Sequence, residues 1–361
     1  MGQRDNAERA VRVRKAASGT LLSLLTPLLI AGCAGATGSG TNQFSSCRAV
    51  SLPVALAPGQ PTNQTVSGSL CTPFRWAPGD HEVDALTHGA TYNGTYWDWP
   101  QYQPFYSYAA KTLQAGRATF DYDRIGAGAS SHPLSTDISI QSDGYVLHQI
   151  VGWLRGHGGY GHVNSIGHSY GSMTAIDEAG TYHDVNRLVV TGLLHDLSNP
   201  NVPGALADFY PANLDPEFSG QNLDSGYLTT LPGTRSALFY DTATADPSVI
   251  AYDEAHKDVI AANAIATGVT EVDAPAATNV SNAITVPVLI VVGQEDALMC
   301  GAQPFTPDCR SNASIRTWEA PYYARAASLT AEVVANTGHD LALHTTANQS
   351  FLMINGWIAT H

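Results

Sequence analysis

Charge is what this chain has least of. Of its 361 residues only 13% are charged, and acids outnumber bases 31 to 17, leaving a formal net charge of −14. That shortage of Lys and Arg excludes a nucleic-acid groove and a basic membrane-binding patch. Long apolar runs are lacking too: "TLLSLLTPLLIAGC" at residues 20–33 falls short of the roughly 20 residues a spanning helix needs. No His/Cys group has the spacing of a metal site, no glycine pattern sits where a phosphate loop requires it, and no repeat is evident. Neither a metal nor a cofactor is therefore expected.

What is present starts with an address. Arg4, Arg9, Arg12, Arg14 and Lys15 precede the apolar run, and small residues follow it, the order of an export signal. The ending "LIAGCAG" resembles a bacterial lipobox, with residues 1–32 removed and a lipid placed on Cys33; ordinary cleavage nearby, after Ala36, is the alternative. Residues 33–46, rich in Gly, Ser, Thr and Asn, read as a flexible tether. The five cysteines agree with export: with Cys33 set aside, proximity favours Cys47 with Cys71 and Cys300 with Cys309, each closing a short loop. The expected location is the cell surface or periplasm, membrane-bound only through that lipid, or secreted.

Beyond the tether, "CRAVSLPVAL" and "QTVSGSLCTP" alternate like a hairpin. A strand–helix rhythm follows. "EVDALTHG", "RATFDYDRIGAG", "HVNSIG", "NRLVVTGLL", "VPVLIVVG" and "LTAEVV" read as strands; residues 138–155 and "QSFLMINGWIATH" have helical spacing. Alternation of this kind predicts an α/β fold, a mostly parallel sheet covered by helices on both faces. Residues 196–283 interrupt it with no clear buried strand, and "PSVIAYDEAHKDVIAANAIATG" looks helical. That interval is expected to be a cap inserted into a core of residues 47–195 and 284–361; an ordinary long crossover is the plainer alternative.

In "SIGHSYGSM", Ser169 lies between Gly167 and Gly171, after a strand and before a helix. A sharp turn there forces the serine into a strained conformation and demands small neighbours, while the helix N-terminus favours developing negative charge. A serine hydroxyl also needs a base and an orienting acid. "VANTGHD" places His339, and "LIVVGQEDAL" places Asp296, in turns after successive strands, whose carboxyl ends face one crevice. Glu295 is the alternative acid; Asp340 adjoins His339 too closely to orient it, His344 reads as a surface or packing residue and His168 as support for the turn. Oxyanion donors are expected from the amides of Tyr170 and, through the turn at "LTHGATYN", Ala90. Tyr92, Asn93, Tyr96 and Trp97 either wall a substrate pocket or pack the first helix on the sheet. Arg124 is expected in an ion pair.

"HGATYNGTYWD", "DRIGAG", "GHSYG", "VVGQEDAL" and "TGHD" together resemble the serine-nucleophile α/β-hydrolase superfamily, over roughly residues 45–361, and especially exported bacterial and fungal members sharing the "HGATYN…YWD" loop. The resemblance implies the α/β-hydrolase fold, a triad of Ser169, Asp296 and His339, and an oxyanion hole from Ala90 and Tyr170. Serine where related epoxide hydrolases and haloalkane dehalogenases carry aspartate argues against both activities. The expected activity is hydrolysis of small-molecule carboxylic esters. Amide or peptide cleavage, with Glu217 or Asp224 holding a substrate amine, is the second reading, and a non-catalytic surface binding protein the third.

Overall fold

A strand buried on both faces divides its side chains between two cores, and that division organises the sheet. The computed structural model describes residues 45–361 apart from Ser198; the leader, Cys33 and the tether as far as residue 44 lie outside them. Strands β1 (Ser45–Val54) and β2 (Gln64–Pro73) form the expected antiparallel hairpin, with Cys47 opposite Cys71 and a disulfide between them. Then come β3 (Glu82–Thr87), helix α1 (Tyr108–Gln114), β4 (Ala118–Tyr122), α2 (Ile140–Gly158), β5 (His162–His168), α3 (Tyr170–Tyr182) and β6 (Arg187–Thr191). A capping box at Ser139 and Ser142 starts α2 two residues later than the spacing suggested.

The segment after β6 contains α4 (Asn201–Leu206), β7 (Phe209–Pro211), β8 (Tyr227–Thr230), α5 (Arg235–Phe239), α6 (Pro247–Ala255), β9 (Ile260–Ala261) and α7 (Ala262–Val272). Strands β7, β8 and β9 make a small antiparallel sheet, which the sequence reading missed. At two to four residues each they are too short to show alternation. Side chains hold them: Lys257 Nζ donates to Asp215 at 2.7 Å and to the Thr230 carbonyl at 2.8 Å, breaking what read as one long helix between α6 and α7. The chain returns as β10 (Val288–Gly293), α8 (Asn312–Glu319), β11 (Leu329–Val334) and α9 (Ala347–Ile358).

The main sheet runs β1-β2-β4-β3-β5-β6-β10-β11, parallel from β4 onward. Val83, Ala85, Val163, Val190 and Ile290 face one core with Val146, Ile150 and Ile176 from α2 and α3. Leu86, Ile166, Val189, Leu289 and Val291 face the other, with Tyr108 of α1 and Phe351 and Ile354 of α9. Each fully buried aliphatic side chain of this kind contributes about 1.5–3 kcal/mol. The order places β5 beside β3 where the chain reverses direction across the sheet, the point at which open α/β sheets form their crevice.

Arg235 of α5 fastens the segment between β6 and β10 to the sheet. It is fully buried, donates to both carboxylate oxygens of Asp253 at 2.9 and 2.8 Å and to Thr91 Oγ1 at 2.8 Å, and lies over the Tyr92 ring. Arg235→Met would leave Asp253 buried without its counter-charge. Chemical unfolding should show a loss of about 3–5 kcal/mol, most of it recovered when Asp253→Leu is added.

Candidate active site

The backbone at Ser169 has φ +53° and ψ −121°, outside what an L-residue adopts freely. Close packing imposes this. A Cβ at Gly167 would lie 2.3 Å from the Gly171 carbonyl oxygen, and one at Gly171 would lie 2.3 Å from that of Thr87. Helix α3 therefore presses against the ends of β3 and β5, and the serine side chain projects over the sheet from an otherwise buried turn.

His339 Nε2 is 2.8 Å from Ser169 Oγ, and its Nδ1 is 2.9 Å from Asp296 Oδ2. The other oxygen of Asp296 accepts the amides of Leu298 at 2.9 Å and Met299 at 3.1 Å, so the carboxylate is held from both sides. That bonding fixes the hydrogen of His339 on Nδ1 and leaves Nε2 to accept a proton from serine. The two turns touch because β10 ends in glycine: a Cβ on Gly293 would meet the Thr337 and Gly338 carbonyl oxygens at 2.3 and 2.2 Å. The Glu295 amide also donates to the Thr337 carbonyl, while its side chain is exposed and bonded to Gln294, away from the imidazole. Burial alone would lower the His339 pKa, but the Asp296 charge and hydrogen bond, with Asp340, raise it above the ordinary histidine value of 6.5.

Ala90 and Tyr170 border the same space as Ser169, and among the described residues neither amide has a protein acceptor. The loop carrying Ala90 is tied down by Arg124, whose guanidinium donates to the carbonyls of His88 at 3.2 Å and Gly89 at 3.3 Å. The Arg124 amide donates to His88 Nε2 at 3.0 Å; burial first, then the Arg124 charge, hold His88 neutral. Arg124 also pairs with Asp143, which accepts the Tyr170 hydroxyl at 2.9 Å. One buried cation thus links the segments bearing both amides. The expected ion pair is present; the bracing of the loop was not foreseen, since no sequence spacing joins Arg124 to His88.

The other histidines and acids form a second buried layer. His168 bonds Thr191 Oγ1 and Asp340, both at 3.1 Å, so Asp340 is engaged by His168, while the His339 Nδ1 partner is Asp296. His344 Nε2 accepts the amides of Asp241 and Gly338, the packing role expected of it. Tyr92 hydrogen-bonds both Asp340 and Asp253 and so joins the two buried carboxyls. Burial pushes both carboxyls up.

The aromatic loop corrects the pocket reading. Tyr92, Tyr96 and Trp97 are buried in the core on the α1 and α9 face: Tyr96 stacks on His168 at 4.5 Å and Trp97 meets Tyr108 edge-on at 5.4 Å. Asn93 bonds Asp258 and caps the turn at Gly94–Tyr96. None of the four lines the cavity beside Ser169. That cavity, about 80 Å³, is instead walled by Met173, Leu197, Val202, Ala205, Phe209, Phe239, Ile265 and Val269, with Leu298 and Met299 from the acid turn. Most of these come from the segment between β6 and β10, whose irregular hydrophobic spacing gave no sign of a shared wall. Among the described residues the lining holds no charged side chain; Glu217 is exposed elsewhere, and Asp224 is occupied by Ser135 and Gly226.

A family model described as the alpha/beta hydrolase family matches residues 85–349. No curated protein sequence matches the chain. Among solved structures, an esterase from Thermogutta terrifontis is 17% identical with a TM-score of 0.56, covering 87% of this chain and 98% of its own. A carboxyl esterase from Bacillus coagulans is 14% identical with a TM-score of 0.59, over the same shares of 87% and 98%. A monoacylglycerol lipase from Paleococcus ferrophilus is 15% identical with a TM-score of 0.52, covering 83% of this chain and 99% of its own. At such identities the likeness is one of fold.

Two outcomes follow from the geometry. A base raised above 6.5 is protonated and idle below its pKa, so any hydrolytic rate should climb with pH through a midpoint above that value. Asp296→Asn removes the main raising partner; the midpoint should move to lower pH and the plateau fall by roughly 10⁴-fold, both read from pH–rate profiles. Arg124→Ala should lower kcat by about 10²-fold through displacement of the Ala90 amide, with KM changed far less.

Proposed function

The chain belongs to the alpha/beta hydrolase family, and we propose that within it this protein is an exported serine hydrolase that cleaves carboxylic esters. The observation that carries the reading is the strained Ser169 with its hydroxyl 2.8 Å from an imidazole that is itself bonded to Asp296. Ser169 Oγ attacks the ester carbonyl as His339 Nε2 takes its proton. The Ala90 and Tyr170 amides receive the negative charge that forms on the carbonyl oxygen. His339 then hands the proton to the departing alcohol. Water, deprotonated by the same imidazole, releases the acyl group from Ser169.

The cavity supports a neutral, short acyl group. Its volume of about 80 Å³ is well below the roughly 300–1,000 Å³ of pockets that take drug-sized ligands. Its uncharged lining offers no carboxylate for a substrate amine, which favours esters over peptides with a free amino terminus. Residues 196–283 are, on this reading, a cap that supplies the acyl wall. Two disulfides are compatible with an oxidising compartment, and no described helix is long and apolar enough to cross a membrane. The lipid on Cys33 belongs to the same proposal.

A fluorophosphonate probe should label the wild-type protein at Ser169, located by peptide mass mapping, and fail to label Ser169→Ala. The unlabelled wild-type protein should hydrolyse p-nitrophenyl acetate or butyrate faster than the palmitate ester and faster than the matched anilides, and should lose that activity once labelled. Folded wild-type protein that neither labels nor turns over these esters would overturn the proposal.

A further inference from the structure

Away from the crevice, three side chains from three segments converge, and two of them carry buried oxygens that have no donor among the described residues. His148 comes from α2, Glu178 from the second half of α3, and Asp184 from the turn that follows α3. One ligand atom from each lies within 4.8 Å of the other two. His148 Nδ1 and Asp184 Oδ2 are 2.6 Å apart. Glu178 is the anomaly: it is 0% exposed, and neither carboxyl oxygen has a hydrogen-bond donor. Asp184 Oδ1 is likewise buried and unpartnered. A buried carboxyl with no donor is costly and calls for an explanation.

Among the described residues no donor answers it, and the neighbouring Asp184 is itself an acid. Arg155, a cation whose charge acts on Glu178, spends its guanidinium on the Asp184 carbonyl, the Gly161 carbonyl and Asn186. Tyr182 stacks on the His148 ring at 4.2 Å and fixes its plane. Burial first, then the neighbouring Asp184, push the Glu178 carboxyl up. The side chains of His148 and Asp184 are 36% and 26% exposed, which leaves an opening to solvent on one side.

We propose that His148, Glu178 and Asp184 bind a divalent first-row transition cation, zinc above all, that clamps α2 to the far end of α3. Two carboxylates and a neutral imidazole match such an ion in charge. The imidazole sets the site apart from the all-oxygen shells preferred by calcium and magnesium. Water from the open side completes the coordination. Glu178 follows Ser169 by nine positions along α3, on the order of 13 Å at the helical rise. The ion is therefore structural, and the inference stands independently of the hydrolytic reading.

The test is a titration of ZnCl₂ into chelator-treated, tag-free protein, followed by isothermal calorimetry and thermal unfolding, with CaCl₂ in parallel. One zinc per chain is expected, with a rise in Tm of roughly 5 °C at a hundredfold excess over Kd and a weaker effect of calcium. Glu178→Gln and His148→Ala should each weaken binding by about tenfold or more. His148 is half-exposed, so its variant remains folded even if the Glu178 variant does not. Absence of binding, equal binding of calcium, or zinc binding undiminished in the folded variants would overturn the proposal.

Discussion

Everything at the crevice depends on how closely α3 approaches the ends of β3 and β5. The gap is small enough that a single methyl group on Gly167 or Gly171 would collide with backbone. Because the helix cannot retreat without losing its packing on the sheet, the strain concentrates on the residue between them. Ser169 is held in an unfavourable conformation by the whole core on that face, including Ile176 and Ala179. The strain is thus maintained by hydrophobic burial some distance away, and the serine's orientation inherits the rigidity of the sheet.

Around that fixed point the molecule places buried polar groups in two layers. The nearer layer uses Arg124 and Asp143 to align the two amide-bearing segments. The deeper one, Arg235, Asp253, Tyr92, Asp340 and His168, joins the segment after β6 to the histidine turn. Ion pairs of this kind contribute little net stability compared with well-packed apolar replacements. Their value here is directional. Each charge has one arrangement of partners that satisfies it, so the loops have one place to sit.

How much of this was legible in the sequence depended on whether a residue's partner lay within a recognisable spacing. Ser169, Asp296 and His339 were, because each follows an apolar strand that runs into a glycine turn, and parallel strands bring their carboxyl ends together. The cysteine pairs were legible from proximity. Tyr92, Tyr96 and Trp97 were not resolved between wall and core: an aromatic cluster has the same composition in either place, and the decision came from Asp340, Asp253 and His168, which are distant in sequence. The short strands β7 to β9 carry no period. Nothing in the sequence marks Glu178, because its neighbours across the α2–α3 interface are invisible in one dimension.

The segment from α4 to α7 leaves the sheet at the end of β6 and rejoins it at β10, and these two strands are hydrogen-bonded neighbours. Its two ends are therefore anchored side by side by the sheet itself, whatever lies between them. Lengthening or exchanging the excursion costs little loop-closure entropy and leaves strand register untouched. The lining beside Ser169 can consequently diverge between related chains wherever the few contacts that tie the excursion to the histidine turn, Arg235 with Asp253 and Tyr92 with Asp340, are kept.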